Sequence, residues 1–204
     1  MLRKVLFILI ILTSSFLSNV SVAHHFIEGE VPENFLQGLI SGIAHPIIGI
    51  DHLVFLIFTT LIVYLISKKI FFISLFIFST VLGSLLTIIN INLPILELSI
   101  IISILLTGVS FFIYKNISSS ILLLIFIIFG IFHGNAFGKT IIEALAPIQV
   151  SYIIGLVLVQ FLVCIIIFNL AKFLINSNEK ETYTPYFFGL LNISAGITML
   201  YIYF

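Results

Sequence analysis

Tryptophan is absent from this chain, cysteine occurs once, and charged residues make up only 8% of it. A soluble domain carries roughly 25% charged residues, so the scarcity of charge excludes a water-soluble fold. With 61% hydrophobic residues and a mean hydropathy of +1.36, the chain is an integral membrane protein with little mass outside the bilayer. The single cysteine, Cys164, excludes an internal disulfide and any multi-thiolate cluster; it reads as a small apolar filler in a helix. Net charge is zero, so nothing draws the chain to nucleic acid. The many phenylalanines pack helices and touch lipid rather than stack bases. The alternation of polar and apolar residues that a membrane barrel needs is also missing, which leaves helices to satisfy the backbone.

What the chain has is an ordered series of apolar segments. Arg3 and Lys4 precede a short apolar stretch at 5–12, and residues 13–21 turn small and polar. Ser21-Val22-Ala23 fits a small-x-small cleavage site, so residues 1–23 read as a signal peptide. Residues 24–34 read as a short periplasmic segment and residues 35–204 as the transmembrane domain. The expected fold is an all-α polytopic bundle of six membrane helices, over 35–66, 70–89, 94–114, 118–138, 151–175 and 185–203. Breakers separate them, among them Ser67-Lys68-Lys69, Asn90-Ile91-Asn92 and the stretch 139–147. With the signal removed and the new N-terminus outside, Lys68, Lys69, Lys115, Lys172 and Lys180 all face the cytoplasm and only Lys139 lies outside. That places the chain in a bacterial inner membrane with a periplasmic N-terminus. An uncleaved signal would add one helix.

The first apolar segment is too long for one straight helix and contains His45-Pro46. Proline lacks the N–H of a helical turn and disfavours helical geometry in the residue before it. A short helix before His45, a break at His45-Pro46 and a long helix from Pro46 are expected. Broken membrane helices of this kind mark ion sites in transporters. The segment also holds Asp51 and His52, and a later one holds His133. Ionisable groups at membrane depth cost several kcal/mol and persist where they bind or move something. Imidazole with carboxylate suits a first-row divalent metal. On a continuous helix His45 and His52 would stand about 10 Å apart, too far to share an ion, and a break lets His45 swing inward. Asp51 either ligates directly or holds a histidine N–H and fixes its tautomer. His133 supplies a third nitrogen, and Gly49, Gly134 and Gly138 permit close backbone approach.

Gly42-x-x-His45-Pro46-x-x-Gly49-x-Asp51-His52-Leu53 resembles the signature of the HupE/UreJ family, and Phe132-His133-Gly134-x-Ala136-x-Gly138 is similar to its second signature. The likeness runs over nearly the whole mature chain. It implies secondary transport of nickel or cobalt, with the divalent ion as transported substrate and no permanently bound cofactor. Many relatives place a histidine where this chain has Phe137. Relatives with an aromatic residue there often carry a downstream acidic one, for which Glu143 is the candidate. Lys139 beside the motif departs from a mouth built to capture cations. The family's spaced histidines near the new N-terminus are replaced here by His24-His25, which with the terminal amine could chelate a divalent cation.

The metal candidates are therefore His45, Asp51, His52 and His133, followed by Glu143, His24 and His25. Gln160, mid-helix, either lines a path or bonds a neighbouring helix, and Asn192 and Ser194 are similar. Glu97 reads as a solvated interfacial carboxylate. The reading is a permease rather than an enzyme, in contact with lipid and a divalent metal ion; a homo-oligomer stays open. Two alternatives are an intramembrane metal-dependent hydrolase, since histidines and an aspartate could hold zinc, and a haem-binding electron carrier. Nickel and cobalt are not separable from ligand type.

Overall fold

The computed structural model describes residues 31–67, 70–175 and 183–204. The signal segment, His24, His25, Lys68, Lys69 and Lys180 lie outside these. The described residues form seven helices and no strand: α1 Phe35–Ile48, α2 Ile50–Ile66, α3 Phe71–Ile88, α4 Leu96–Ile113, α5 Ser119–Lys139, α6 Ala146–Leu174 and α7 Thr184–Tyr203. The last five are each long and apolar enough to cross a membrane, and α1 with α2 passes the same test as a pair bent by 72°. The all-helical bundle is as the sequence predicts.

The bend is not where the sequence predicts it. Pro46 sits inside α1, and the chain turns three residues later at Gly49, whose backbone is extended (φ −68°, ψ 97°). Proline removes one hydrogen bond from the last turn of a helix that is about to end anyway, and α1 still closes with the Gly49 N–H donating to the His45 carbonyl at 2.9 Å. Gly49 allows the turn because of what folds back over it. A Cβ there would lie 2.7 Å from His52 Cδ2 and 3.1 Å from the His45 carbonyl. Pro147, expected among the residues that interrupt the helices, instead lies in the first turn of α6. Proline costs nothing there, since that turn's N–H groups have no helical partner.

Small residues fix how the helices pair, as expected where lipid supplies no hydrophobic drive for association. A Cβ on Gly134 of α5 would strike the Thr80 carbonyl of α3, and one on Gly130 would strike Ser79 Oγ. Gly38 and Gly42 of α1 meet Ser151 and Tyr152 of α6 in the same way. Gly108 of α4 meets Gly189 and Ile193 of α7, and Gly196 of α7 meets Leu105. The register gives direction. Positions rise together along α3 and α5 and along α1 and α6, whereas they run oppositely along α4 and α7. Farther on, Thr60 of α2 touches Cys164 and Tyr64 touches Phe168, so α2 follows α6 in the same sense as α1 does. Both halves of the bent pair thus advance along one straight helix. Taken as a single broken span, they bring the candidate spans among the described residues to six, of alternating direction.

Asn34, the 89–95 loop and Lys139 share one end of the bundle; Tyr114, Lys115 and Lys172 lie toward the other. At the first end Asn90 (φ 65°) and Ile95 (φ 45°) carry left-handed backbone. Asn135 of α5 holds their loop, with Nδ2 donating to the Ile91 carbonyl at 2.9 Å and Oδ1 accepting from the Leu93 N–H at 3.1 Å. A large apolar core including Phe55, Ile62, Phe76, Ile104, Phe111 and Phe126 fills the bundle, and a smaller cluster of Phe137, Ile141, Tyr152 and Leu156 lies nearer the first end.

Candidate metal-handling site

The 72° turn at Gly49 brings the two histidines of the first motif together. His45 ends α1, His52 begins α2, and their ring centroids are 5.5 Å apart. His133 reaches the same place from α5 across 81 positions of sequence, with His52 Nδ1 and His133 Nδ1 2.8 Å apart. Phe55 stacks on the His133 ring at 4.1 Å, with 5° between the planes. His52 and His133 are buried, 7% and 1% exposed, while Asp51 keeps 32% of its side-chain surface exposed.

Proton counting settles the tautomers of the buried pair. Ser103 of α4 has one hydroxyl proton and two close partners, the Ile100 carbonyl at 2.6 Å and His133 Nε2 at 2.8 Å. A carbonyl can only accept, so both contacts are hydrogen bonds only if the hydroxyl donates to Ile100 and His133 Nε2–H donates to the hydroxyl. Neutral His133 is then an acceptor at Nδ1, and His52 donates to it from Nδ1. In a neutral His52 the nitrogen without a proton is then Nε2. It stands 4.0 Å from Asp51 Oδ1, which also accepts the His52 backbone N–H at 2.9 Å. The carboxylate lies in the first turn of α2, where the helix dipole favours negative charge.

His45 is held from the other side. Its Nδ1 lies 2.8 Å from the Tyr152 hydroxyl and 3.1 Å from Thr140 Oγ1. Tyr152 Oη also donates to the Phe137 carbonyl at 3.2 Å. Phe137 itself fills the space between the motifs, with its ring centroid 4.3 Å from that of His52 and 5.1 Å from that of His45.

Of the candidates read from sequence, His45, Asp51, His52 and His133 are gathered here. Glu143 is exposed in the turn after α5, and His24 and His25 lie outside the described residues. Among the described residues no three of His, Cys, Asp and Glu are arranged as they would be around a metal ion. His133, expected as a third nitrogen ligand, has both ring nitrogens in hydrogen bonds. Ser103, Thr140 and Tyr152 escape a reading of the sequence: each is an ordinary polar residue of an apolar segment, and no spacing marks it.

The family model described as HupE / UreJ protein matches residues 11–199. No curated protein matches, and no solved structure does.

Proposed function

The chain belongs to the HupE/UreJ family, a membrane family of nickel and cobalt transport or its accessory steps, and on that premise we propose that it is a secondary transporter for nickel or cobalt. The observation that carries this reading is the pair of acceptors at the start of α2. His52 Nε2, which bears no proton in the neutral ring, and a carboxylate oxygen of Asp51 face each other across 4.0 Å. Bonds from a first-row divalent cation to imidazole nitrogen and carboxylate oxygen are each about 2 Å, so a cation between them touches both.

The residues divide the work. Asp51, the most exposed of the set, attracts the cation and gives it a first anionic ligand. His52 takes it on Nε2, and His133, backed by Ser103, keeps the proton of His52 on Nδ1. A partner on the far nitrogen that fixes the tautomer is the usual support for a metal-binding imidazole. His45 adds a second imidazole at the turn, with its ring oriented by Tyr152 and Thr140. The lysine distribution favours a periplasmic N-terminal side in a bacterial inner membrane, and the proposed transport is inward from that side.

Uptake of labelled nickel and cobalt by cells carrying single variants tests this. His45→Ala, Asp51→Ala and His52→Ala should each lower accumulation by about tenfold or more, since a buried site that loses one ligand leaves the others unpaired. Membrane insertion should persist. Normal uptake by His52→Ala would overturn the reading.

A further inference from the structure

Beside the buried histidine pair lies a cavity of about 10 Å³, lined by Pro46, His52, His133, Phe137, Thr80 and Gln160 among others. That is the threshold for one water molecule or one bare ion. Gln160 comes from α6, fourteen residues after Ala146 and fourteen before Leu174, so it marks the middle of the longest helix. It is 1% exposed. One end of its amide has a partner, Thr80 Oγ1 at 2.9 Å. Among the described residues the other end has none. An unpartnered amide group at such depth is costly in an apolar bundle.

The same proton counting applies here as at Ser103. Thr80 Oγ1 also lies 2.8 Å from the Ile77 carbonyl, and one hydroxyl proton cannot serve both contacts. Both are hydrogen bonds only if Thr80 donates to the carbonyl and receives an N–H from Gln160. A half-turn of the amide exchanges its nitrogen and oxygen without changing its shape. The nitrogen then bonds Thr80, and the unpartnered atom is the carbonyl oxygen, a neutral cation ligand.

Building on the transport reading above, we infer that Gln160 is the next ligand for the divalent cation inward of His52, taking it on the amide oxygen in this cavity. His52 both lines this cavity and faces Asp51, so its ring adjoins the turn and the place that Gln160 lines. A neutral oxygen suits a station of passage, since a carboxylate there would hold the cation too tightly.

Two substitutions of Gln160 test this in the full-length protein. Gln160→Met keeps length and removes the oxygen. It should lower uptake of cobalt by about tenfold or more while changing equilibrium cobalt binding by the purified protein less than about twofold, because the turn site is intact. Gln160→Glu puts a charge in the cavity and should tighten cobalt binding by about tenfold or more while slowing transport. A residue that only bonds two helices would leave cobalt affinity unmoved in both variants. Wild-type uptake by Gln160→Met, or unchanged cobalt affinity in Gln160→Glu, would overturn the inference. Should Gln160→Met fail to insert, the affinity of Gln160→Glu decides alone. If His52→Ala is inactive and Gln160→Met is active, this inference fails and the transport reading stands; if His52→Ala transports normally, the transport reading fails.

Discussion

The first span and the fifth follow the same direction through the bundle, yet one is broken and the other runs 29 residues without interruption. α6 is a wall. Its Gly155 and Ser151 seat α1, and its polar side chains Tyr152 and Gln160 project from one uninterrupted helix. The first span turns by 72° at Gly49 and carries three ionisable groups within four residues of the turn, His45, Asp51 and His52. A straight helix keeps His45 and His52 about 10 Å apart; the turn brings their rings to 5.5 Å and leaves the straight neighbour to hold them in place.

The strongest way to break that contrast is to fill the turn. Gly49→Ala sets a Cβ 2.7 Å from His52 Cδ2, which displaces the ring from Asp51. Uptake per folded molecule should fall by about tenfold or more, beyond the loss of stability that overpacking at the turn costs. The matching change in the straight helix should act in the opposite way. A Cβ on Gly155 meets the Leu39 carbonyl and lies 3.1 Å from the Ile43 N–H, so Gly155→Ala should cost about 1–3 kcal/mol of stability by parting α1 from α6. Uptake per folded molecule should change less than in Gly49→Ala. Thermal unfolding in detergent, measured alongside uptake, separates the two.

Phe137→His sharpens the contrast rather than breaking it. The ring lies between His45 and His52, so an imidazole there adds a nitrogen to the site. Cobalt binding by the purified protein should tighten by about tenfold. The smallest effect belongs to Pro46→Ala. The turn is at Gly49, so restoring an N–H within α1 should leave uptake within about twofold of wild type and add a few tenths of a kcal/mol at most. A large loss of uptake in Pro46→Ala would return the break to where proline chemistry alone puts it.

Much of this was legible in the sequence, and the misses have physical causes. Six spans follow from apolar length alone, and the need for His45 and His52 to be brought together follows from helical rise. The position of the turn does not. Proline announces a lost hydrogen bond, but near a helix end that loss is tolerated, and the residue that yields is the glycine over which His52 folds. Pro147 misleads for the same reason: a proline in a first turn starts a helix as easily as it ends one. The supporting hydroxyls are less legible still. Ser103, Thr140 and Tyr152 matter through tertiary contacts with histidines 30, 95 and 107 positions away. Serines and threonines elsewhere in the bundle, such as Ser79 and Thr107, merely bond carbonyls of their own helix, and the sequence does not distinguish the two uses. Gln160 stood out as polar, but its meaning depends on which end of its amide Thr80 holds.

His45 and His52 are the proposed cation ligands, and His133 is the group proposed to fix the tautomer of His52. X-ray absorption of the cobalt-loaded, purified protein counts imidazoles around the metal and tests this most directly. Wild type should show two, His45→Ala and His52→Ala one each, and His133→Gln two with weaker binding. A histidine count that falls in His133→Gln and is unchanged in His52→Ala would contradict it.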